Sequence, residues 1–372
     1  MGEDTQHAPS AGPAAALAEL LAELVRVGGS DLHLSPDRSP RFRVDGLLQS
    51  ASPEPLPADQ VRAMVGAALP ERHEGLLDGA GEADFAFTIP GISRFRASVF
   101  RRRGGLGAVY RVVRKEVPSL ARLGLPPNAS ALSRFGSGLV LISGPVGSGK
   151  STTLAALVDE INRKRAVHVV TVEDPIEILH PNRRALVTQR QVGSDTASFR
   201  TALRSVLRSD PDVVVIGEIR DRDTVDAALR VSETGHLAIA TIHARSVLDA
   251  LTRILEMFSA ARHRQTRSRL AASLEAVYCQ RLLPRAAGPG RVVAVEQLIP
   301  STAARNLIRE DRLHQLFAVM DAGAGRGAAI SLNAALASLC RQGRITLDDA
   351  VAASNEPGQL RKMVGSATNG RG

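Results

Sequence analysis

Gly144, Pro145, Val146, Gly147, Ser148, Gly149, Lys150 and Ser151 stand in unbroken succession, followed by Thr152. Their spacing is the Gly-x-x-x-x-Gly-Lys-Ser pattern of a phosphate-binding loop. Glycines at the first, fourth and sixth places let successive backbone N–H groups turn inward toward phosphate oxygens. Lys150 can reach the β- and γ-phosphates, and the Ser151 hydroxyl can ligate Mg²⁺. The chemistry this implies is binding and hydrolysis of ATP with Mg²⁺.

Three further segments could complete such a site. Val213-Val-Val-Ile216 runs into Gly217-Glu218, which places a carboxylate at a strand end, where it can orient and deprotonate a water. A strand-end Glu paired with Arg220 or Arg222 would read the same way. Thr171-Val-Glu173-Asp174-Pro175-Ile176-Glu177 also ends a strand in acidic residues. Glu173 or Asp174 could hold Mg²⁺ or its waters, although Asp-Pro is also turn-forming. Thr234-Gly235-His236 opens an apolar run that closes at His243, so an imidazole stands at each end of one strand. Either could contact the γ-phosphate, or simply be a polar strand terminus. Arg94 and Arg96 project from one sheet face at i, i+2 spacing, with Arg111 on a neighbouring strand; an anion or water could face them.

The elements that must position these residues follow from periodicity. Leu139–Ile142 precedes the phosphate loop, and Leu154, Leu157, Val158 and Ile161 give the following helix its apolar face. Val167–Val172, Val213–Ile216 and Leu237–Ile242 are near-continuous apolar runs, as expected of strands buried on both faces of a parallel sheet. Residues 137–300 therefore read as an α/β domain with a P-loop core. Residues 14–113 read as a smaller α+β domain. It contains a helix carrying Leu17, Leu20, Leu21 and Leu24, strands around Leu32–Leu34, 41–44 and 47–48 with an Asp45-Gly46 turn, and two more near 95–100 and 108–113. Pro118, Gly124, Pro126 and Pro127 mark a linker over 114–136. Residues 301–362 read as a helical C-terminal subdomain with Leu332, Leu336 and Leu339 on one face. Residues 1–13 and 363–372 read as tails.

The chain has 372 residues, 44% of them apolar, which is ample for packed cores. Two distant cysteines suggest neither a zinc module nor a disulfide framework. No run approaches the roughly 18 apolar residues of a membrane span. The expectation is a reduced, cytosolic protein. Net charge is +9, concentrated in Arg101–Arg103, Arg163–Arg165 and the set Arg262, Arg264, Arg267 and Arg269. Such charge suits nucleic acid, anionic lipid, an acidic partner or only water. Aromatics make up 3%, too few for a surface that stacks single-stranded bases, so no specific nucleic acid is expected.

Taken jointly, the acidic box Thr171–Glu177, the Gly217-Glu-Ile-Arg-Asp221 segment and the Thr234-Gly-His236 box resemble the secretion-superfamily ATPases, the hexameric motors of type II secretion and type IV pili. The likeness runs from about Gly28 to Ala353. Ser30–Leu34, Arg43–Gly46 and Arg94–Arg96 are similar to the N-terminal domain of the retraction ATPases that drive twitching motility. Ala304–Glu310 is similar to a C-terminal segment associated with retraction. The resemblance implies a PAS-like N-terminal domain, a RecA-like core and a homo-hexameric ring. It implies an inner-membrane pilus platform protein and other pilus ATPases as partners, and a cytoplasmic location at the inner membrane. It assigns Glu218 as catalytic base, Glu173 to the acidic box beside Ser151 and Mg²⁺, His236 and His243 to the histidine box, and Arg96 and Arg111 to transition-state charge. An accessory or type II secretion-related ATPase is the alternative within the family, and a nucleic-acid-dependent ring motor the alternative outside it. Val146, Ala244, Ala304 and the Arg101–Arg103 run depart from the family pattern.

Overall fold

The computed structural model describes residues 12–44, 46–79, 81–113, 117–323 and 329–365. The expected N-terminal tail through residue 11, Asp45 of the Asp-Gly turn, and the last residues of the C-terminal tail lie outside them. The chain forms two units. One comprises residues up to 116 together with Pro175–Ile178, and the other comprises the rest.

In the first unit a six-stranded antiparallel sheet is built from β1 (Asp31–Leu34), β2 (Arg41–Val44), β3 (Leu47–Ser50), β4 (Glu82–Ile89), β5 (Ser93–Arg102) and β6 (Gly105–Val113), in the order β3-β2-β1-β6-β5-β4. Along β5 buried and half-buried residues alternate from Ser93 to Phe100, the two-residue period of a sheet with one covered face. Helices α1 (Pro13–Arg26) and α2 (Ala58–Ala68) supply that cover. Leu17, Leu21 and Leu24 of α1 pack with Val61, Met64, Phe85, Phe95 and Tyr110 in one core. Neither α2 nor β4 was expected, because Val61, Met64 and Val65 make a short apolar face among alanines and Glu82–Asp84 interrupts the apolar pattern.

The second unit is an eight-stranded mixed sheet. Its strands are β7 (Gly138–Ser143), β8 (His168–Glu173), β9 (Leu186–Gln191), β10 (Val213–Ile219), β11 (Leu237–Ile242), β12 (Leu274–Pro284), β13 (Arg291–Leu298) and β14 (Ala329–Ile330), ordered β14-β13-β12-β7-β11-β10-β8-β9. Strands β12 through β9 are parallel, while β13 and β14 are antiparallel additions. Leu139, Leu141, Val214, Ile216, Ala238 and Ala240 enter one core. Val140, Ile142, Val213, Val215, Leu237 and Ile239 enter the other. Consecutive residues thus face opposite buried layers, which is why these strands read as unbroken apolar runs.

Helix α3 (Lys150–Lys164) covers one face; α4 (Phe199–Val206), α5 (Arg222–Glu233), α6 (Val247–Glu256), α7 (Ala260–Ser273), α8 (Thr302–Arg309) and α9 (Leu316–Gly323) belong to the other side. Within the linker expected over 114–136, two 3₁₀ turns from residue 117 onward bury Leu120, Ala129 and Leu132 against the α3 side of the core. The C-terminal stretch is helical, as expected, and is also joined to the sheet. It adds β14 to the sheet, and α10 (Leu332–Arg341), α11 (Leu347–Ala353) and α12 (Pro357–Gly365) share a core with Leu283, Val292 and Ala294 of β12 and β13.

One buried acid gives this unit a pH-dependent stability. Glu296 on β13 is 2% exposed, lies opposite Cys279 and accepts the Val247 N–H at the start of α6 at 2.8 Å. Burial lifts its carboxyl from 4.5 to about 7, against the opposing pull of that hydrogen bond and of Arg281. The folded carboxyl therefore binds its proton more tightly than the unfolded one. Its contribution is fully present below pH 4.5 and lost as pH rises through about 7. Glu296→Gln keeps an acceptor for Val247 and cannot ionise. Thermal melts at pH 8 are expected to show it more stable than the parent by roughly 2 kcal/mol, a gain of about 4–8 °C, with the two converging at pH 5.

Candidate functional site

The phosphate loop bridges β7 and α3. Gly144 has φ of 148°, and a Cβ there would stand 2.5 Å from the Gln280 carbonyl oxygen on β12. Glycine is therefore required by both conformation and space. Gln280 in turn donates to the Thr153 hydroxyl at 2.8 Å inside the core, tying β12 to the first turn of α3. Ser151 and Thr152 lie in that turn behind Lys150. Val146 at the loop tip is 87% exposed, so its replacement of another residue type leaves the backbone cradle unchanged. Beside the loop is a cavity of about 560 Å³, lined by Pro145–Ser148 and by Arg245, Arg281, Leu282 and Asn355.

Lys150 is buried. Its ammonium donates to the carbonyl oxygens of Gly144 and Pro145 at 2.9 Å each and lies 3.3 Å from His243 Nδ1. An ammonium only donates, so His243 Nδ1 is the acceptor and its proton sits on Nε2. That Nε2 is 2.8 Å from Glu218 Oε1. Burial lowers the His243 pKa from its ordinary value, the Lys150 charge adds to this, and Glu218 opposes it. The imidazole is accordingly neutral at pH 7, a fixed link between the P-loop lysine and Glu218.

Glu218 reaches this point through a break in strand register. Between Ile216 and Ile219, β10 carries one more residue than β11 does between Ala240 and Ile242. Such a bulge re-aims a side chain at a sheet edge. Thr241 Oγ1 donates to the Gly217 carbonyl and pins the bulge to β11. Gly217 is itself constrained, because a Cβ would lie 3.2 Å from Glu173 Cα and from the Val172 oxygen. Asp221, the last residue of the segment, caps α5 by accepting the Thr224 N–H at 2.8 Å.

Glu173 ends β8 at the same carboxyl edge, the edge at which open parallel sheets bind ligands. Its Oε1 accepts from Thr171 Oγ1 at 2.6 Å and from Gln189 at 3.1 Å. Lys150, His243, Glu218 and Glu173 are thus brought to one edge. His236 is not. It opens β11 at the opposite edge, roughly 20 Å away along the strand, and its Nδ1 contacts the Thr234 hydroxyl at 2.9 Å. Among the described residues no group of three or more His, Cys, Asp or Glu forms a metal site. A Mg²⁺ arriving with nucleotide phosphates needs only one or two protein oxygens, which Ser151 and Glu173 can offer.

The arginines of the first unit have intramolecular partners. Arg111 Nε donates to the buried Asp31 carboxylate at 2.7 Å. Arg96 lies 3.8 Å from Glu177, and Arg94 donates to the Ile176 carbonyl at 3.1 Å. The i, i+2 pair therefore faces the last two residues of the acidic box. Most of the basic runs are likewise engaged. Arg101 donates to the Leu77 and Gly79 carbonyls, Arg163 pairs with Asp159 and Lys164 with Glu160, and Arg165 holds the Ser133 and Phe135 carbonyls. Arg267 pairs with Asp311, and Arg269 bridges Asp226 and Glu233.

Sequence reasoning mentioned Arg220 only as an alternative partner for Glu218. The structure gives it a larger place, with Nε 2.7 Å from Glu218 Oε2 and Nη1 3.6 Å from Asp174. Arg222, the other alternative, stacks on Phe258 instead. Thr241 and Gln189 were not anticipated; as isolated polar residues within strands they carry no spacing signal.

Comparison with known proteins gives the family and the overall fold. The family described as type II/IV secretion system protein matches residues 10–307. "Type IV pilus retractation ATPase PilT" of Pseudomonas aeruginosa is 40% identical over 90% of this chain and 96% of its own length. "Type IV pilus ATPase PilU" of the same organism is 38% identical over 93% and 90%. Among solved structures, the pilus retraction motor PilT with bound ADP superposes with a TM-score of 0.85 at 41% identity, covering 92% of this chain and 98% of that one.

Proposed function

This chain belongs to the type II/IV secretion system protein family, and we propose that it is the ATPase motor of type IV pilus retraction. The ATPase half of that reading is carried by one observation: His243 links Lys150, 3.3 Å from its Nδ1, to Glu218, 2.8 Å from its Nε2, at the sheet edge that ends in the phosphate loop. The pilus half rests on similarity that spans nearly the whole of both chains.

The chemistry follows from the side chains. Backbone N–H groups of the loop and the α3 N-terminus attract the phosphates. Lys150 would exchange its carbonyl partners for phosphate oxygens, and Ser151 with Glu173 would hold Mg²⁺, which would supply neutralising charge to the phosphates. Glu218 takes the proton of the attacking water. His243 keeps Glu218 and Lys150 in register. Of the two proposed charge-stabilising arginines, Arg96 has the looser present partner. Arg111 is committed to buried Asp31 and serves the first unit's fold. His236, remote from Lys150 in its own chain, would act only toward a neighbouring subunit.

In this reading six copies form a ring that engages an inner-membrane platform protein from the cytoplasmic side, together with other pilus ATPases. Among the described residues no helix is long and apolar enough to cross a membrane. The test has two parts. Purified protein should hydrolyse ATP as a six-membered ring in mass photometry, with turnover unchanged by DNA or RNA. Deleting the gene should leave labelled pili that extend and do not retract. Turnover that appears only with a polynucleotide would replace this reading with a nucleic-acid motor.

A further inference from the structure

The two oxygens of Glu218 are both held. His243 Nε2 sits 2.8 Å from Oε1, and Arg220 Nε sits 2.7 Å from Oε2. Each oxygen gives one of its lone-pair directions to its donor, so a water must compete with His243 and Arg220 for this carboxylate. Only one of the two holders has an alternative close by. The Arg220 guanidinium also lies 3.6 Å from the Asp174 carboxylate, just beyond hydrogen-bond range. Arg220 is 57% exposed and Asp174 42% exposed, whereas Glu218 is only 20% exposed. The fixed partner is thus the base, and the movable one is the arginine. A small rotation of Arg220 would exchange the carboxylate of Glu218 for that of Asp174.

We propose that Arg220 gates the base, capping Glu218 Oε2 in one position and releasing it by moving onto Asp174, so that Asp174 is a positioning residue for hydrolysis. The proposal rests on Glu218 being the base. It assigns the second acidic residue of the Thr171–Glu177 box a role distinct from that of Glu173, whose oxygen is already engaged by Thr171 and Gln189. It also explains why Arg220 stands two residues beyond Glu218, on the far side of the bulge that re-aims the carboxylate.

The discriminating experiment measures kcat and KM for ATP in the full-length protein, Glu218→Gln, Asp174→Asn, Arg220→Gln and the Asp174→Asn/Arg220→Gln pair. Asp174→Asn removes the parking place and should lower kcat about fivefold, the scale of one exposed ion pair, with KM little changed. Arg220→Gln removes the cap and should raise kcat above the parent's. The double variant should then turn over faster than Asp174→Asn alone, because without the cap no parking place is needed. A double variant as slow as Asp174→Asn, or slower, overturns the gate, as does a kcat for Arg220→Gln alone that is no higher than the parent's. Undiminished turnover in Glu218→Gln would instead overturn the assignment of the base, and the gate with it.

Discussion

Glu218→Gln is expected to bind ATP as the parent does and to lose hydrolysis by about 10²–10⁴-fold, the range for removing a positioned general base. The substitution keeps volume and shape, and Glu218 does not line the phosphate loop, so affinity has no reason to fall. The loss is chemical. An amide has no lone pair basic enough to take a proton, and its NH₂ would face one of two donors, His243 Nε2 or Arg220 Nε. Parallel measurement of ATP turnover and of the thermal shift with saturating ATP separates the two effects. At a hundredfold excess over Kd, ligand stabilisation is about 2.7 kcal/mol and should survive intact. Turnover within threefold of the parent would mean that another group activates the water.

How far the site was legible in the sequence depended on whether each part is local. The phosphate loop is eight consecutive residues, and the strand before it and the helix after it are visible as an apolar run and a 3.6-residue stripe. Glu218 was legible because four apolar strand residues lead straight into it. What the sequence cannot display is register. His243 meets both Lys150 and Glu218 because β11 lies between β7 and β10, an order that no local pattern encodes. The same fact separates His236 from the site: two histidines of one apolar run look equivalent until the strand is given a direction. Arg111 looked available for an anion because its partner, Asp31, lies 80 residues away on β1. In the fold, the short edge strand β14 and the long antiparallel β12–β13 pair were missed for a reason of local pattern. Glu275, Gln280 and Arg281 interrupt the apolar run of β12, Glu296 and Gln297 interrupt that of β13, and β14 is only two residues long.

Lys150→Ala should be the broader lesion, costing ATP affinity as well as turnover, and it should leave a second mark that the loss of activity alone would not. In the folded chain the ammonium is buried, held by two loop carbonyls and facing the His243 ring. Its replacement removes the buried side-chain charge that stands at the phosphate loop. Loss of such a clamp costs about 10²–10³-fold in turnover, and here ATP affinity should fall with it, unlike in Glu218→Gln. The second mark is on His243. The Lys150 charge is one of the influences that keep this imidazole below its usual pKa, while Glu218 pulls the other way. Taking the cation away removes one lowering influence, while burial, Arg220 and Arg253 still lower the His243 pKa and Glu218 still raises it, so the pKa should rise. An NMR titration of the imidazole in Lys150→Ala beside the parent reads this directly. A rise in pKa together with lost turnover shows that lysine, histidine and glutamate act as one linked set. Lost turnover with an unmoved His243 would show that the contact between Lys150 and His243 is too weak to couple the phosphate loop to the base.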